Sequence, residues 1–355
     1  MNNQTGQTWT LLKENGIVQG EEPTKKISAS PWYVKMLLAF SGWLAAGFIL
    51  GFIGAAFAFV FEHISVAFIL GMTMIVSAYI LLRASANEFI EHLGLAISMA
   101  GQALIAYAIF DISHHNEITT WLMLAVLQAL LAALMPNFVH GVFSAMVAAI
   151  AFSMALHKMD IPYFIGGIIM FSASFCWLNE FRYPQQMKKM RAMGYGLVLA
   201  LVTFKGTALF WYRTVNVLFP QKQELLTRPW LGEIIITMIT LYVVWSLLQR
   251  YGQPVNGRLS MTVLLATLLV CAVSVHVQGI TVGMVIVCLG FFGANRILLG
   301  LGIVSLLFYI STYYYMLDTT LLDKSRSLFL AGLIILFLRW LMKYMIPANN
   351  ETPHE

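Results

Sequence analysis

The sequence predicts an all-α fold: a polytopic integral membrane protein of about twelve transmembrane helices, with both termini in the cytoplasm. Four observations predict it. Of the 355 residues, 59% are hydrophobic and 10% are Asp, Glu, Lys or Arg, where a soluble domain carries about 25% charged residues. Mean hydropathy is +0.78. The apolar residues gather into runs close to the ~20 residues that one helix needs to cross a hydrocarbon core. The basic residues between the runs alternate in density, as the positive-inside rule requires of a protein crossing repeatedly. This composition excludes a soluble globular enzyme, a disordered chain and a disulfide-stapled secreted module.

The chain divides into a polar cytoplasmic tail over 1–35, a transmembrane helical domain over 36–346 and a short cytoplasmic tail over 347–355. In the first tail, Leu11, Leu12, Ile17 and Val18 fit one short interfacial helix. Apolar runs follow at 36–61, 64–82, 89–110, 119–135, 138–156, 161–178, 193–212, 230–249, 259–275, 279–294, 297–316 and 328–346. The first is longer than the ~7–15 residues of a signal-peptide core and starts far from Met1, so it is expected to stay as a signal-anchor. Residues 119–156 break only at Pro136-Asn137. As one helix they would reach ~57 Å against a core of ~30 Å, which predicts a hairpin. Residues 259–294 break at His276-Val277-Gln278-Gly279. The same argument favours two spans there, with a re-entrant segment as the alternative.

The basic residues fix the orientation. With twelve spans and a cytoplasmic N-terminus, the inner side holds fourteen: Lys13, Lys25, Lys26, Lys35, Arg83, Arg182, Lys188, Lys189, Arg191, Arg250, Arg258, Arg296, Arg339 and Lys343. The outer side holds six: Lys158, Arg213, Lys222, Arg228, Lys324 and Arg326. Trp32, Trp121, Trp211, Trp230 and Trp340 fall near span ends, as an aromatic belt does. The basic loop 179–192 splits the spans six and six. The loop after the second span reads Arg83-Ala84-Ser85-Ala86-Asn87-Glu88, which lacks the Gly, Asp-Arg and Gly-Arg-Arg signature of the major facilitator transporters. No internal repeat is evident.

Lys205 is the one of the 21 basic residues left over from both sides, and it stands inside a span. A lysine at mid-membrane costs about 2.5–3.5 kcal/mol on insertion scales, so something must offset it. Arg213 follows eight residues later, which puts Lys205 ~12 Å below the outer boundary, and snorkelling recovers about half of that. Glu233 enters the next span from the same side, so a Lys205–Glu233 ion pair is geometrically reasonable. Structural pairing, snorkelling and a substrate or proton pathway are the three roles open to it. In the third span, Glu88 and His92 stand at i and i+4. Glu91, Ser98 and Gln102 form a polar stripe that should face other helices rather than lipid. Interhelical hydrogen bonding is the plainer role of the stripe, and the wall of a polar cavity the sharper one.

Other features are weaker. His63, His114, His115, His157 and His276 fall on the outer side with Glu62, Asp111, Glu117 and Asp160, but at no recognised metal-ligand spacing. Cys176, Cys271 and Cys288 all lie in apolar runs and read as small buried hydrophobes. Gly47 and Gly51 form a GxxxG pair, and Gly300 and Gly302 open the eleventh span; close helix packing is the default meaning of both. Tyr313-Tyr314-Tyr315 close that span as interface anchors. With Asp318 and the mixed-sign loop residues Asp323, Lys324 and Arg326 they form a candidate partner surface. No phosphate loop, dinucleotide fingerprint, zinc motif or nucleophile elbow appears, so no cofactor, metal or catalytic residue is assigned.

The stretch Gly293-Ala294-Asn295-Arg296-Ile297-Leu298-Leu299-Gly300-Leu301-Gly302, then Tyr313-Tyr314-Tyr315-Met316-Leu317-Asp318-Thr319-Thr320-Leu321-Leu322-Asp323-Lys324-Ser325 and Arg339-Trp340-Leu341, resembles an uncharacterised bacterial family of multispanning inner-membrane proteins, a domain of unknown function. Leu95 to Gln102 fits the same family. The resemblance is strong over about 50 residues near the C-terminus and weaker over most other spans. It implies a companion, because members are typically encoded beside or fused with membrane proteins bearing a GDYxxLxY motif. That motif is absent here, so the companion would be a separate chain. The expectation is a non-enzymatic inner-membrane subunit acting with such a partner. The rival is a secondary transporter with a polar pathway through Lys205, Glu233 and the Glu91–Ser98–Gln102 stripe. An intramembrane enzyme is the third class, with no nucleophile–base set to recommend it.

Overall fold

The computed structural model describes residues 11, 13–16, 32–56, 62–84, 88–113, 116–218, 229–250, 252, 257–274, 279–316 and 320–345. Among these the structure is helical throughout, with no strand. Twelve long helices stand on the twelve apolar runs: α1 Trp32–Ala56, α2 Ile64–Ala84, α3 Glu88–Ile112, α4 Glu117–Leu134, α5 Phe138–Lys158, α6 Tyr163–Leu178, α7 Met187–Leu218, α8 Pro229–Arg250, α9 Arg258–Ser274, α10 Ile280–Phe292, α11 Arg296–Met316 and α12 Leu321–Met345. Among the described residues six of them (α2, α3, α4, α5, α8 and α11) are long and apolar enough to cross a membrane. The tail 347–355 lies outside the described residues, as do Leu12, Ile17 and Val18 of the expected interfacial helix.

Two starts differ from the hydropathy reading. α7 begins at Met187, and its first turns carry Lys188, Lys189 and Arg191, so the basic loop shrinks to two short 3₁₀ turns, Glu180–Arg182 and Pro184–Gln186. Lys, Met, Arg and Ala are all good helix formers, and hydropathy marks where a helix enters lipid rather than where it starts. α12 begins at Leu321, so Asp323–Arg326 is helix and not loop. Thr320 caps it. The Asp323 amide donates to Thr320 Oγ1 at 3.3 Å, and that hydroxyl donates to Asp323 Oδ2 at 2.7 Å. Thr320 is thus the N-cap, with the third helical residue, Asp323, bonded to its hydroxyl through both amide and carboxylate.

The break at Pro136-Asn137 does produce a hairpin, with α4 and α5 packed along each other. Asn137 Oδ1 accepts the His140 amide at 2.9 Å and caps α5. The second break behaves differently. α9 and α10 have 17 and 13 residues, or ~25 and ~20 Å of helix, both short of a ~30 Å core. α9 packs chiefly on α8, and α10 chiefly on α11. Gly279, at φ +100°, opens α10 with its Cα against the Tyr309 ring; a Cβ there would stand 2.7 Å from it.

Helix association without a hydrophobic drive relies on close backbone approach and interior polar contacts, and the interior follows that rule. α2 and α3 cross at Gly71 and Gly101, where a Cβ on Gly101 would lie 2.8 Å from the Gly71 carbonyl. α5 and α7 cross at Gly196, and α10 and α11 at Gly290 and Gly302. The largest apolar cluster joins α5, α6, α7, α8, α10 and α11 through residues such as Ile165, Trp177, Leu201, Ile236, Ile286 and Leu298. Large side chains point outward, including Phe40, Phe48 and Phe52 of α1, which costs nothing in lipid. The glycine expectation holds only in part. Gly302 packs against Val287, whereas a Cβ on Gly47, Gly51 or Gly300 would meet nothing within 4 Å.

Candidate functional site

Two buried polar clusters lie in the bundle. The first joins α7 and α8. Lys205 Nζ donates to Glu233 Oε1 at 2.5 Å, and both side chains are buried. Helix α6 makes room for the lysine, because Gly166 has no side chain; a Cβ there would approach Lys205 Cε at 3.5 Å and Ile236 Cδ1 at 3.2 Å. Around the pair, the Thr237 and Thr240 hydroxyls donate to the carbonyls of Glu233 and Ile236, each at 2.7 Å. Cys271 of α9 lies beside Thr237, Thr281 and Thr240. The Thr281 amide donates to Ser274 Oγ at 3.3 Å. The charges are neutralised mutually, across two helices. Such a pair holds helices in register and is also able to pass a proton between carboxylate and amine.

The second cluster joins α3, α4 and α5, with His140 as its hub. His140 Nε2 faces Ser98 Oγ at 2.8 Å and Gln102 Nε2 at 2.9 Å. The Gln102 amide also donates to Ser98 Oγ at 3.2 Å, and its carbonyl accepts from Gln128 Nε2 at 2.9 Å. On the other side of the ring, His140 Nδ1 meets Ser144 Oγ at 3.2 Å. Asn137, the α5 cap, donates to Glu91 Oε1 at 2.6 Å. Ser98, Gln102, Gln128, His140 and Ser144 are all buried, whereas Glu91 is exposed at the mouth of the cluster. The predicted stripe is thus brought together by partners on two other helices. His92, one turn from Glu88, keeps a buried Nδ1 with no hydrogen-bond partner among the described residues.

The candidate partner surface is only partly described. Tyr313 and Tyr314 are half-buried at the end of α11, and Tyr315 is 79% exposed. The Tyr314 and Tyr315 rings meet edge to face with centroids 5.7 Å apart. Asp323 and Arg326 are exposed on the first turns of α12, where Lys324 also stands. Asp318 lies outside the described residues.

A comparison with protein-family models matches residues 31–345 to a domain of unknown function, DUF4401. The chain belongs to the DUF4401 family. The match spans all twelve helices. Comparison with curated proteins and with solved structures finds no match.

Sequence reasoning missed four members of the DUF4401 chain's second cluster: Gln128, Asn137, His140 and Ser144. Gln128 was findable, as the only polar residue between Trp121 and Leu134. A third buried charge was also missed. Glu180, in the first 3₁₀ turn, pairs with Arg191 of α7 and ties the connecting segment to the helix it precedes. Lys189 donates to the Ala133 carbonyl at the end of α4 at 2.8 Å, and the Tyr195 hydroxyl donates to Asn295 Oδ1 at 2.8 Å. Among the described residues no three His, Cys, Asp or Glu side chains come together to hold a metal. A surface hollow of about 350 Å³ is lined by Tyr107, Phe110, Asp111, Glu117 and Thr120; Glu117 is also paired with Lys158.

Proposed function

We infer that this DUF4401 protein is a multi-pass protein of a bacterial inner membrane, with about twelve spans and both termini in the cytoplasm. It acts as a non-enzymatic subunit beside a separate membrane partner of the GDYxxLxY kind. The single observation that carries this reading is where charge resides. The buried Lys205, Glu233 and Glu180 are committed to internal pairs that bind helices together. Exposed polar and aromatic groups gather instead where α11 ends and α12 begins. The fourteen-to-six distribution of basic residues supports the orientation. Docking would use Tyr313, Tyr314, Tyr315, Asp318, Asp323, Lys324 and Arg326.

The test is affinity purification of the tagged protein from native membranes in mild detergent, followed by mass spectrometry. A second membrane protein should co-purify in stoichiometric amount, and reversing the charges with Asp323→Lys and Arg326→Glu should lower its recovery about tenfold or more, the equivalent of about 1.4 kcal/mol. A partner retained unchanged by both reversals removes this surface from the reading; a single stable species removes the subunit reading itself.

One observation favours the rival, a secondary transporter. Ionisable residues buried within membrane helices mark ion and substrate pathways, and Lys205 and Glu233 are buried within α7 and α8. On this reading, ion-coupled uptake by proteoliposomes is abolished by Lys205→Ala and kept by Thr203→Ala, an exposed site two residues away. Equal uptake by both variants would exclude the pathway.

A further inference from the structure

We propose that the His140 cluster is a proton-binding site, in which uptake of one proton at His140 Nε2 is matched by rotation of the Gln102 and Gln128 amides. The inference is independent of the docking surface and concerns helices α3, α4 and α5 alone.

It follows from counting donors and acceptors. Gln102 Nε2 points at His140 Nε2 at 2.9 Å. An amide nitrogen only donates, so the ring nitrogen it faces must be the one without hydrogen. The ring proton is then on Nδ1 and is donated to Ser144 Oγ at 3.2 Å. With the Gln102 amide in this orientation, the neutral imidazole carries its proton on Nδ1. A proton added to Nε2 makes both ring nitrogens donors. Gln102 Nε2–H would then face another N–H, a contact that cannot persist in a buried site.

The relief is already in place. A half-turn of the Gln102 amide offers Oε1 to the new Nε2–H and leaves Ser98 Oγ, at 2.8 Å from that nitrogen, as a second acceptor. The turned Gln102 then presents its NH₂ group to Gln128. In the neutral arrangement Gln128 donates to Gln102 Oε1, while its own Oε1 is buried without a partner. Rotating Gln128 puts that idle oxygen to use as the acceptor for Gln102. Each arrangement leaves one Gln128 group idle among the described residues, the carbonyl before and the NH₂ group after, so the proton is taken up with no further buried group stranded. The proton comes from water and no other bond is made or broken; the site gains one positive charge.

The charged surroundings are few. From α3, exposed Glu91 reaches Asn137, whose Oδ1 holds the His140 amide; Glu88 and His92 lie on the same first turns of that helix. α4 contributes only the neutral Gln128. From α7, Lys189 is held on the Ala133 carbonyl and Arg191 is paired with Glu180. Glu91 is therefore the nearest carboxylate joined to the cluster, through Asn137 and the His140 backbone amide rather than through the ring.

The experiment is nitrogen NMR of the full chain, histidine-labelled, in lipid nanodiscs and titrated between about pH 4 and pH 8. The His140 signal is identified by its loss in His140→Asn. At the alkaline end it should report the Nδ1–H tautomer, and it should move to the imidazolium position as pH falls. Gln102→Leu removes the carbonyl acceptor and should lower proton affinity about tenfold. Gln128→Leu removes the outer acceptor and should lower it severalfold; it loses only one hydrogen bond of the neutral state, so it serves where Gln102→Leu fails to fold. A His140 that keeps its neutral tautomer across the whole range overturns the proposal. So does a titration that neither leucine variant moves.

Discussion

Lys205→Met is expected to destabilise the folded bundle by about 3–5 kcal/mol, because it leaves the Glu233 carboxylate buried with its charge partner removed. The methionine keeps most of the lysine's length and apolar stem, so the loss reports charge rather than volume. Glu233→Gln alone strands the Lys205 ammonium in the same way. The double variant Lys205→Met with Glu233→Gln has no unpaired charge, and it should recover most of the loss. A buried ion pair replaced by neutral groups of similar volume is often close to neutral in stability. Unfolding in mixed micelles, across the full double-mutant cycle, measures the coupling directly. Residues in contact show interaction energies of about 0.5–3 kcal/mol, and this pair belongs at the upper end. Single losses that simply add would mean that Lys205 and Glu233 do not depend on each other, and the 2.5 Å contact would carry no energy.

Lys205 was legible in the sequence because a charge inside an apolar run must be answered by something, and Glu233 was the nearest answer from the same end. The stripe Glu91–Ser98–Gln102 was legible by helical spacing, but its purpose was not. Its hub, His140, sits three residues past Asn137, where a polar residue reads as part of the chain reversal rather than of the interior. Spacing along one helix reveals a face; it does not reveal which other helix supplies the partner. The same gap appears in the fold. Every apolar run became a helix, because length and hydropathy decide that locally. The starts of α7 and α12 were missed, because Met187–Ala192 and Leu321–Arg326 are helix formers that hydropathy does not score. The Thr320 cap was written in the sequence and would have placed the second start. Which glycines pack closely was not legible at all. Gly47 and Gly51 have the GxxxG spacing and no close neighbour; Gly196 lies outside that pattern and has the tightest approach of all.

Gly196→Ala should therefore be the most damaging single-methyl change in the protein, with an expected loss of about 3 kcal/mol or more. The added carbon would stand 2.3 Å from the Val142 carbonyl oxygen, 2.8 Å from Ala145 Cβ and 3.0 Å from the Met146 amide nitrogen. Two of those three neighbours are backbone, which no rotamer change can move aside. The only relief is for α5 and α7 to separate. That movement weakens close packing along the whole crossing, including Gly141 against Ala192, and dispersion at such crossings is a main source of helix association in lipid. It also reaches both polar clusters. Val142 and Met146 flank Ser144 on α5, one turn from His140, and Lys205 lies nine residues further along α7, ~13.5 Å away. Gly300→Ala is the control. It adds the same methyl group to a helical glycine with nothing within 4 Å among the described residues, and it should be neutral or stabilise by up to about 1 kcal/mol, because alanine is the better helix former. Thermal unfolding of both variants in one detergent decides the matter. Equal losses would mean that the contact between α5 and α7 does not set the sensitivity; a loss confined to Gly196→Ala places it in that contact.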